Sequence, residues 1–321
     1  MELLNENIIH EIRKDNCFDF IRFFFATILI VSHFCVLTGN DQLLPLDGGT
    51  AVKAFFTITG FLVTYSILRR DCDIKSYAKK RFVRIIPAYI ATIFFCIFIG
   101  WLVTSLSTKD FFSYAQTWKY FFSNILMLNW LEPELPGTFQ NNPRPQMDGS
   151  LWVMKLEVLF YILIPLFIFV INKAGKKWVC IPLIFVCFLI YPYVNVQTQL
   201  FTFFIGGMTL LFFFDIYNKY FNYLFCIAIC ALLFSAFETL AFPMMLVGIA
   251  YHCKPLNFFR KVDNITYGLF LYHFPIIQLL IHYGVAEYNL ILCFILTIIA
   301  TSILATLSWF YIEKPLMEKC A

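Results

Sequence analysis

Residues 18–39 read FDFIRFFFATILIVSHFCVLTG. A helix needs about 20 mostly apolar residues to cross a bilayer, and this run supplies them. It is interrupted near its start by Asp19 and Arg22 and near its end by His33. It lacks a small-residue cleavage site and carries charge inside, so it reads as a retained span rather than a cleaved signal. The rest of the chain repeats the pattern. Sixty per cent of the 321 residues are apolar, 14% are charged, and 40 are Phe. Soluble domains hold about 45–50% apolar and 25% charged residues. A single water-soluble core of this size cannot bury that much apolar surface.

Further apolar runs fall near 50–68, 83–105, 151–171, 178–194, 197–214, 220–236, 239–253, 265–284 and 288–312. The expected fold is therefore an all-α polytopic membrane protein, with about ten transmembrane helices in one bundle. The expected organisation is an N-terminal segment over 1–17, a membrane domain over 18–313, and a tail over 314–321. The longest connection, 106–150, holds Trp118, Trp130 and four prolines, and its first half is amphipathic enough to lie along the interface. No internal repeat is visible.

Lys and Arg orient the chain, because cytoplasmic loops carry the excess. One alternate set of connections holds Arg13 and Lys14; Arg69, Arg70, Lys75, Lys79, Lys80 and Arg81; Lys173, Lys176 and Lys177; Lys219; Lys254, Arg260 and Lys261; and Lys314 and Lys319. The other holds Lys109, Lys119 and Arg144, with Lys53 at a span edge. Both termini are thus expected in the cytoplasm, and the 106–150 loop outside. The net charge of +4 is small and its placement follows the membrane, so no nucleic-acid partner is expected. The eleven cysteines are scattered singly, without C-x-x-C pairs or zinc spacing with His, so no metal is expected.

Charge inside a bilayer is expensive, so an ionisable residue within a span is a functional candidate. Here these are Arg22, His33, Arg84, Lys155, Glu157 and His273. At a rise of 1.5 Å per residue, His33 lies roughly 8 Å and Glu157 roughly 9 Å below the outer surface. Arg22 lies about 16 Å further in than His33, toward the level expected of Arg81 and Arg84. Two layers are expected: a basic inner one, and an outer one in which an imidazole and a carboxylate meet. Each residue also has a plain reading. Arginines snorkel to headgroups, and a histidine packs well when hydrogen bonded.

Several stretches together resemble the membrane acyltransferase family 3, bacterial O-acyltransferases of surface sugars. Phe18-Asp19-Phe20-Ile21-Arg22, with ten residues between Arg22 and His33, is similar to the family's opening motif. Phe55-Phe56-Thr57-Ile58-Thr59-Gly60-Phe61-Leu62-Val63-Thr64 resembles its F-F-x-x-S-G-F-L-x-T stretch, and Arg81-Phe82-Val83-Arg84-Ile85-Ile86-Pro87 its R-x-x-R-I-x-P segment. Gly149-Ser150-Leu151-Trp152 with Glu157, Tyr272-His273-Phe274-Pro275, and Glu313-Lys314-Pro315 complete the ordered set. Lys53 departs from it, standing where the family usually has Asp, and Thr59 replaces the usual Ser.

The resemblance implies transfer of an acyl group, acetyl by preference, from acyl-CoA to a hydroxyl of a cell-surface or lipid-linked sugar, in the bacterial cytoplasmic membrane. No bound cofactor is implied. Arg22, Arg81 and Arg84 would hold the phosphates of the donor through charge-assisted hydrogen bonds. His33, with an ordinary pKa near 6.5, suits general-base work at neutral pH. Glu157 would orient its imidazole and stabilise the cation. Lys53, Asn141, Asn142, Ser150, Trp152 and His273 are expected in acceptor-binding or supporting roles. A transporter or exporter of a glycan is the rival reading, since buried Arg, His and Glu also suit a transport path. It would favour repeated halves, which this sequence does not display.

Overall fold

The computed structural model describes residues 12, 16–43, 47–69, 73–233, 237–253 and 265–320. Arg13, Lys14, Arg70, Lys254, Arg260 and Lys261, which entered the charge alternation, lie outside the described residues. Every regular element among those described is helical. In chain order these are α1 (Phe18–Leu37), α2 (Gly48–Leu68) and α3 (Ile74–Val103). The long connection over 106–150 holds α4 (Thr108–Ser113) and α5 (Ala115–Ile125). There follow α6 (Met154–Ala174), α7 (Lys176–Ile190), α8 (Val196–Phe212), α9 (Phe214–Lys219), α10 (Phe221–Ala231) and α11 (Glu238–His252). The last are α12 (Thr266–His282), α13 (Val285–Tyr288), α14 (Leu290–Ser308) and α15 (Lys314–Glu318).

Among the described residues, six helices are long and apolar enough to cross a membrane: Phe18–Leu37, Gly48–Leu68, Ile74–Val103, Leu151–Ala174, Lys176–Tyr193 and Leu290–Glu318. The sequence count was about ten. The difference comes from α8, α10, α11 and α12, which hold 17, 11, 15 and 17 residues. At 1.5 Å per residue even a 17-residue helix reaches only about 25 Å, against a hydrocarbon core of about 30 Å. A π-helical turn over Trp309–Glu313 carries α14 directly into α15.

Lipid-facing chemistry is clearest on α14. Ile291, Ile295, Ile299 and Ile303 recur every four residues and are 72%, 47%, 51% and 55% exposed. Cys293, Thr297, Thr301 and Ala305 follow the same spacing and are all fully buried. Apolar outside and small or polar inside reverses the pattern of a water-soluble helix. It is what helix packing in lipid demands. Helix α5 shows the same inversion: Thr117, Tyr120, Ser123 and Asn124 are buried while Trp118 and Phe122 are exposed. That face suits the interface expected of this segment.

The chain divides into two compact units. The first comprises Met1–Phe25, Gly49–Ala78 and Glu157–Val262. Its packing hinges on a close crossing of α2 and α8. A Cβ on Gly60 would lie 2.1 Å from the Phe204 carbonyl oxygen, and one on Gly207 would lie 2.2 Å from that of Thr57. Small residues at such a crossing let two backbones touch. Phe160 of α6 stacks on Phe204 at 4.4 Å and meets Phe56 edge-on at 4.7 Å, closing the core.

The second unit comprises Ala26–Gly48, Lys79–Leu156 and Asp263–Ala321. Gly268 of α12 packs against Ala305 of α14, with room for no side chain between them. Phe34, Leu37, Phe274, Ile277 and Cys293 form a buried cluster that joins α1, α12 and α14. The long connection returns onto α3, where Leu135 fills the space beside Gly100.

Candidate active site

His33 and His273 meet. Nδ1 of His33 lies 2.6 Å from Nε2 of His273. The ring planes differ by 3° and the centroids are 4.9 Å apart. That combination describes two coplanar rings joined nitrogen to nitrogen, so the bond is in line with both rings. The other nitrogen of His273, Nδ1, faces the Phe270 carbonyl at 2.8 Å and the Leu269 carbonyl at 3.1 Å. A carbonyl oxygen only accepts, so His273 carries its proton on Nδ1. In the neutral pair Nε2 of His273 is then the acceptor, and His33 donates from Nδ1. One lone pair remains, on Nε2 of His33. His273 is wholly buried, whereas the His33 residue is partly accessible.

The local sequence explains the placement. Ser32 Oγ accepts the Gly48 backbone N–H at 3.1 Å, tying the start of α2 beside His33. Phe274 stands edge-on to His33 at 5.4 Å, on the same helix as His273. Gly149 lets the 106–150 loop press on that ring, since a Cβ there would meet Phe274 Cζ at 2.7 Å.

The loop is fastened to α12 by Gln278. Its Nε2 donates to the carbonyls of Arg144 and Gln146, both at 2.6 Å. Asn142 Nδ2 donates to the backbone oxygen of Gln278 at 2.9 Å and to its Oε1 at 3.0 Å. The carboxamide of Asn142 is therefore engaged in holding the loop, while Asn141 is exposed. Gln278 is fully buried and was not among the residues the sequence singled out. Its signal was there: a carboxamide inside an apolar helix needs partners.

Ser150, also buried, donates from Oγ at 2.6 Å and from its backbone N–H at 2.9 Å to Asp148 Oδ1. Asp148 is 3% exposed, and its Oδ2 has no hydrogen-bond partner among the described residues. Burial pushes its carboxyl up to about 7, against the opposing pull of the two Ser150 hydrogen bonds. Trp152 is half-buried in the 3-10 turn that opens α6. Asp148 adjoins the Gly149-Ser150 motif but is not among the expected site residues.

The other expected residues divide between the units. In the second, Arg81 and Arg84 lie three residues apart on α3, and Arg84 is in electrostatic range of buried Glu313. In the first, Arg22 pairs with Asp19 at 3.1 Å. Glu157 accepts from Tyr161 OH at 2.6 Å. Lys53 Nζ lies 2.8 Å from Glu238 Oε1 and 3.3 Å from Tyr191 OH, over the Phe203 ring. Tyr191 OH in turn donates to Glu238 Oε2. The lysine that departs from the family pattern is thus matched by a carboxylate in its own unit. The pairing was invisible in sequence because 185 residues separate the partners. Among the described residues no group of three or more His, Cys, Asp or Glu is placed to hold a metal.

Comparison with known proteins adds relatives. Residues 15–312 match a family described as an acyltransferase domain. An O-acetyl transferase of Shigella phage Sf6 is 33% identical over 178 residues, covering 54% of this chain and 51% of that protein. O-acetyltransferase OatA of Staphylococcus aureus is 25% identical over 365 residues, covering 94% and 57%. Nodulation protein 10 of Rhizobium leguminosarum bv. viciae is 25% identical over 362 residues, covering 96% and 95%. The chain thus spans little more than half the length of the first two. No solved structure matches.

Proposed function

Given that the chain belongs to this acyltransferase family, we propose that it is a multi-pass membrane O-acetyltransferase with His33 as its general base. The observation that carries the reading is the hydrogen bond between His33 and His273, which leaves one basic nitrogen, Nε2 of the more accessible ring. The acceptor is a sugar hydroxyl and the donor acyl-CoA. Nε2 of His33 takes the hydroxyl proton as the oxygen attacks the thioester carbonyl. The carbon–oxygen bond forms, the carbon–sulfur bond breaks, and the imidazolium returns the proton to the departing thiolate. His273 performs the orienting role that the sequence reading had given to Glu157.

Arg81 and Arg84, three residues apart on α3, are assigned to the donor phosphates, with Glu313 offsetting part of the Arg84 charge; the same role remains a proposal for Arg22, in the other unit. The membrane is the bacterial cytoplasmic one. Both termini lie in the cytoplasm and the 106–150 loop outside. The alternation of Lys and Arg supports this orientation. The test is the O-acetyl content of the producing cell's surface glycan, read by mass spectrometry and NMR. His33→Ala should abolish acetylation while the protein reaches the membrane in normal amount. Retained acetylation in that variant refutes the assignment.

A further inference from the structure

One cation on the loop that Gln278 fastens to α12 takes no part in that transfer. Arg144 is exposed, and among the described residues its guanidinium has neither a hydrogen-bond nor an ion-pair partner. Its carbonyl is held by Gln278, five residues along α12 from His273, the partner of His33. Its backbone is held firmly. Pro143 and Pro145 fix φ on either side, and Gln278 grips the Arg144 carbonyl at 2.6 Å from within α12. Asn142 and Gln146 bind the same glutamine, and Gly149 seats the far end of the loop on Phe274. A long, exposed cationic side chain thus rises from a backbone fastened to the helix that carries His273, without an anionic partner among the described residues. A guanidinium presents a planar fork suited to carboxylate and phosphate. Oxyanion stabilisation calls for donors preorganised in a water-excluded site, whereas Arg144 is exposed.

We propose that Arg144 is an anion-binding residue at the acceptor entrance, taking the carboxylate or phosphate of an acidic sugar acceptor and setting the neighbouring hydroxyl beside Nε2 of His33. The proposal rests on the reading of His33 as the base. It adds a substrate class: acceptors that carry a negative charge close to the acylated hydroxyl. Charge would also gather such acceptors at the entrance, an effect weakened by salt.

The test follows His33 itself and needs no acyl transfer. Diethyl pyrocarbonate acylates an accessible, unprotonated imidazole nitrogen, and peptide mass spectrometry reports the labelling rate at each histidine. The full chain in detergent is labelled alone, then with methyl glucuronide, glucose 1-phosphate or neutral methyl glucoside. At least one of the two anions should slow labelling of His33, with little effect from the glucoside and none on His252. Protection by the glucuronide identifies a carboxylated sugar; protection by the phosphate identifies a phosphate-bearing one. In Arg144→Gln the affinity read from protection should fall about tenfold or more, as loss of a charged hydrogen bond implies. Arg144→Lys should keep part of it, and added salt should weaken it in the unaltered chain. Equal labelling with both anions and with none overturns the proposal, as does full protection in Arg144→Gln. Either result leaves the His33→Ala experiment to decide the transferase reading separately.

Discussion

Replacing His273 tests the reasoning about the proton most directly. His273→Phe keeps a flat ring of similar bulk but removes the acceptor that His33 Nδ1–H meets at 2.6 Å. His33 then either leaves that N–H unpaired or moves its proton to Nε2, which destroys the base. An unsatisfied buried donor costs about 1–3 kcal/mol, equivalent to a roughly 5- to 150-fold loss in transfer rate. His273→Gln can offer a carbonyl oxygen to the same N–H and should lose less than about tenfold. Two assays separate a tautomer effect from simple misfolding. The first is acetyl transfer from acetyl-CoA by protein in liposomes, with rates for both variants. The second is nitrogen-15 NMR of histidine-labelled protein, tractable because the chain has only five histidines. The unaltered protein should show His33 protonated at Nδ1 and bare at Nε2, and His273→Phe should change that pattern. A His33 found protonated at Nε2 in the unaltered protein refutes the assignment, as does a His273→Phe variant that transfers at the full rate.

Asp148 gives stability a pH dependence. With a carboxyl raised to about 7, the folded state binds more protons than the unfolded one between roughly pH 4 and pH 7. Stability therefore falls as pH rises through that window, by about 4 kcal/mol in the limit, and is then flat with respect to this group. Asp148→Asn should flatten the decline of Tm between pH 5 and pH 8 in detergent, and an unchanged slope counts against the burial argument. Lys53→Met strands the Glu238 carboxylate and should cost about 1–3 kcal/mol after allowance for partial exposure of the pair. Adding Glu238→Gln should recover most of this, and additive effects in the thermal-unfolding cycle would mean that the pair is not coupled. Gly60→Ala drives a methyl into the Phe204 carbonyl and should cost about 1–3 kcal/mol. Gly100→Ala meets the movable ends of Leu135 and Met147 and should cost less in the same unfolding assay.

Much of the site could be read without coordinates because bilayer energetics act one residue at a time. An Arg, His or Glu within an apolar run is costly wherever it points, so His33, His273, Arg84 and Glu157 stand out in the sequence. Helix class was legible for the same reason: backbone polar groups in lipid must be satisfied within the segment. The number of full-length spans was not. Whether an apolar run becomes one long helix or a short one depends on turns and caps, such as Asn195 holding the Thr198 N–H at the start of α8. Hydropathy averages over both.

The apolar run 18–39 by itself determined that the chain resides in a membrane and carries an imidazole inside it. Tertiary structure decided what that imidazole can do. His33 is bound to His273, 240 positions away, and neither spacing nor composition encodes which partner a ring nitrogen finds. The proton's location follows from that meeting together with two backbone carbonyls that only a folded α12 brings to Nδ1. Lys53 makes the same point: alone in sequence it is an anomalous charge, and in the fold it is half of a neutral pair. Local chemistry sets which residues are expensive to bury, whereas long-range packing sets how that cost is met.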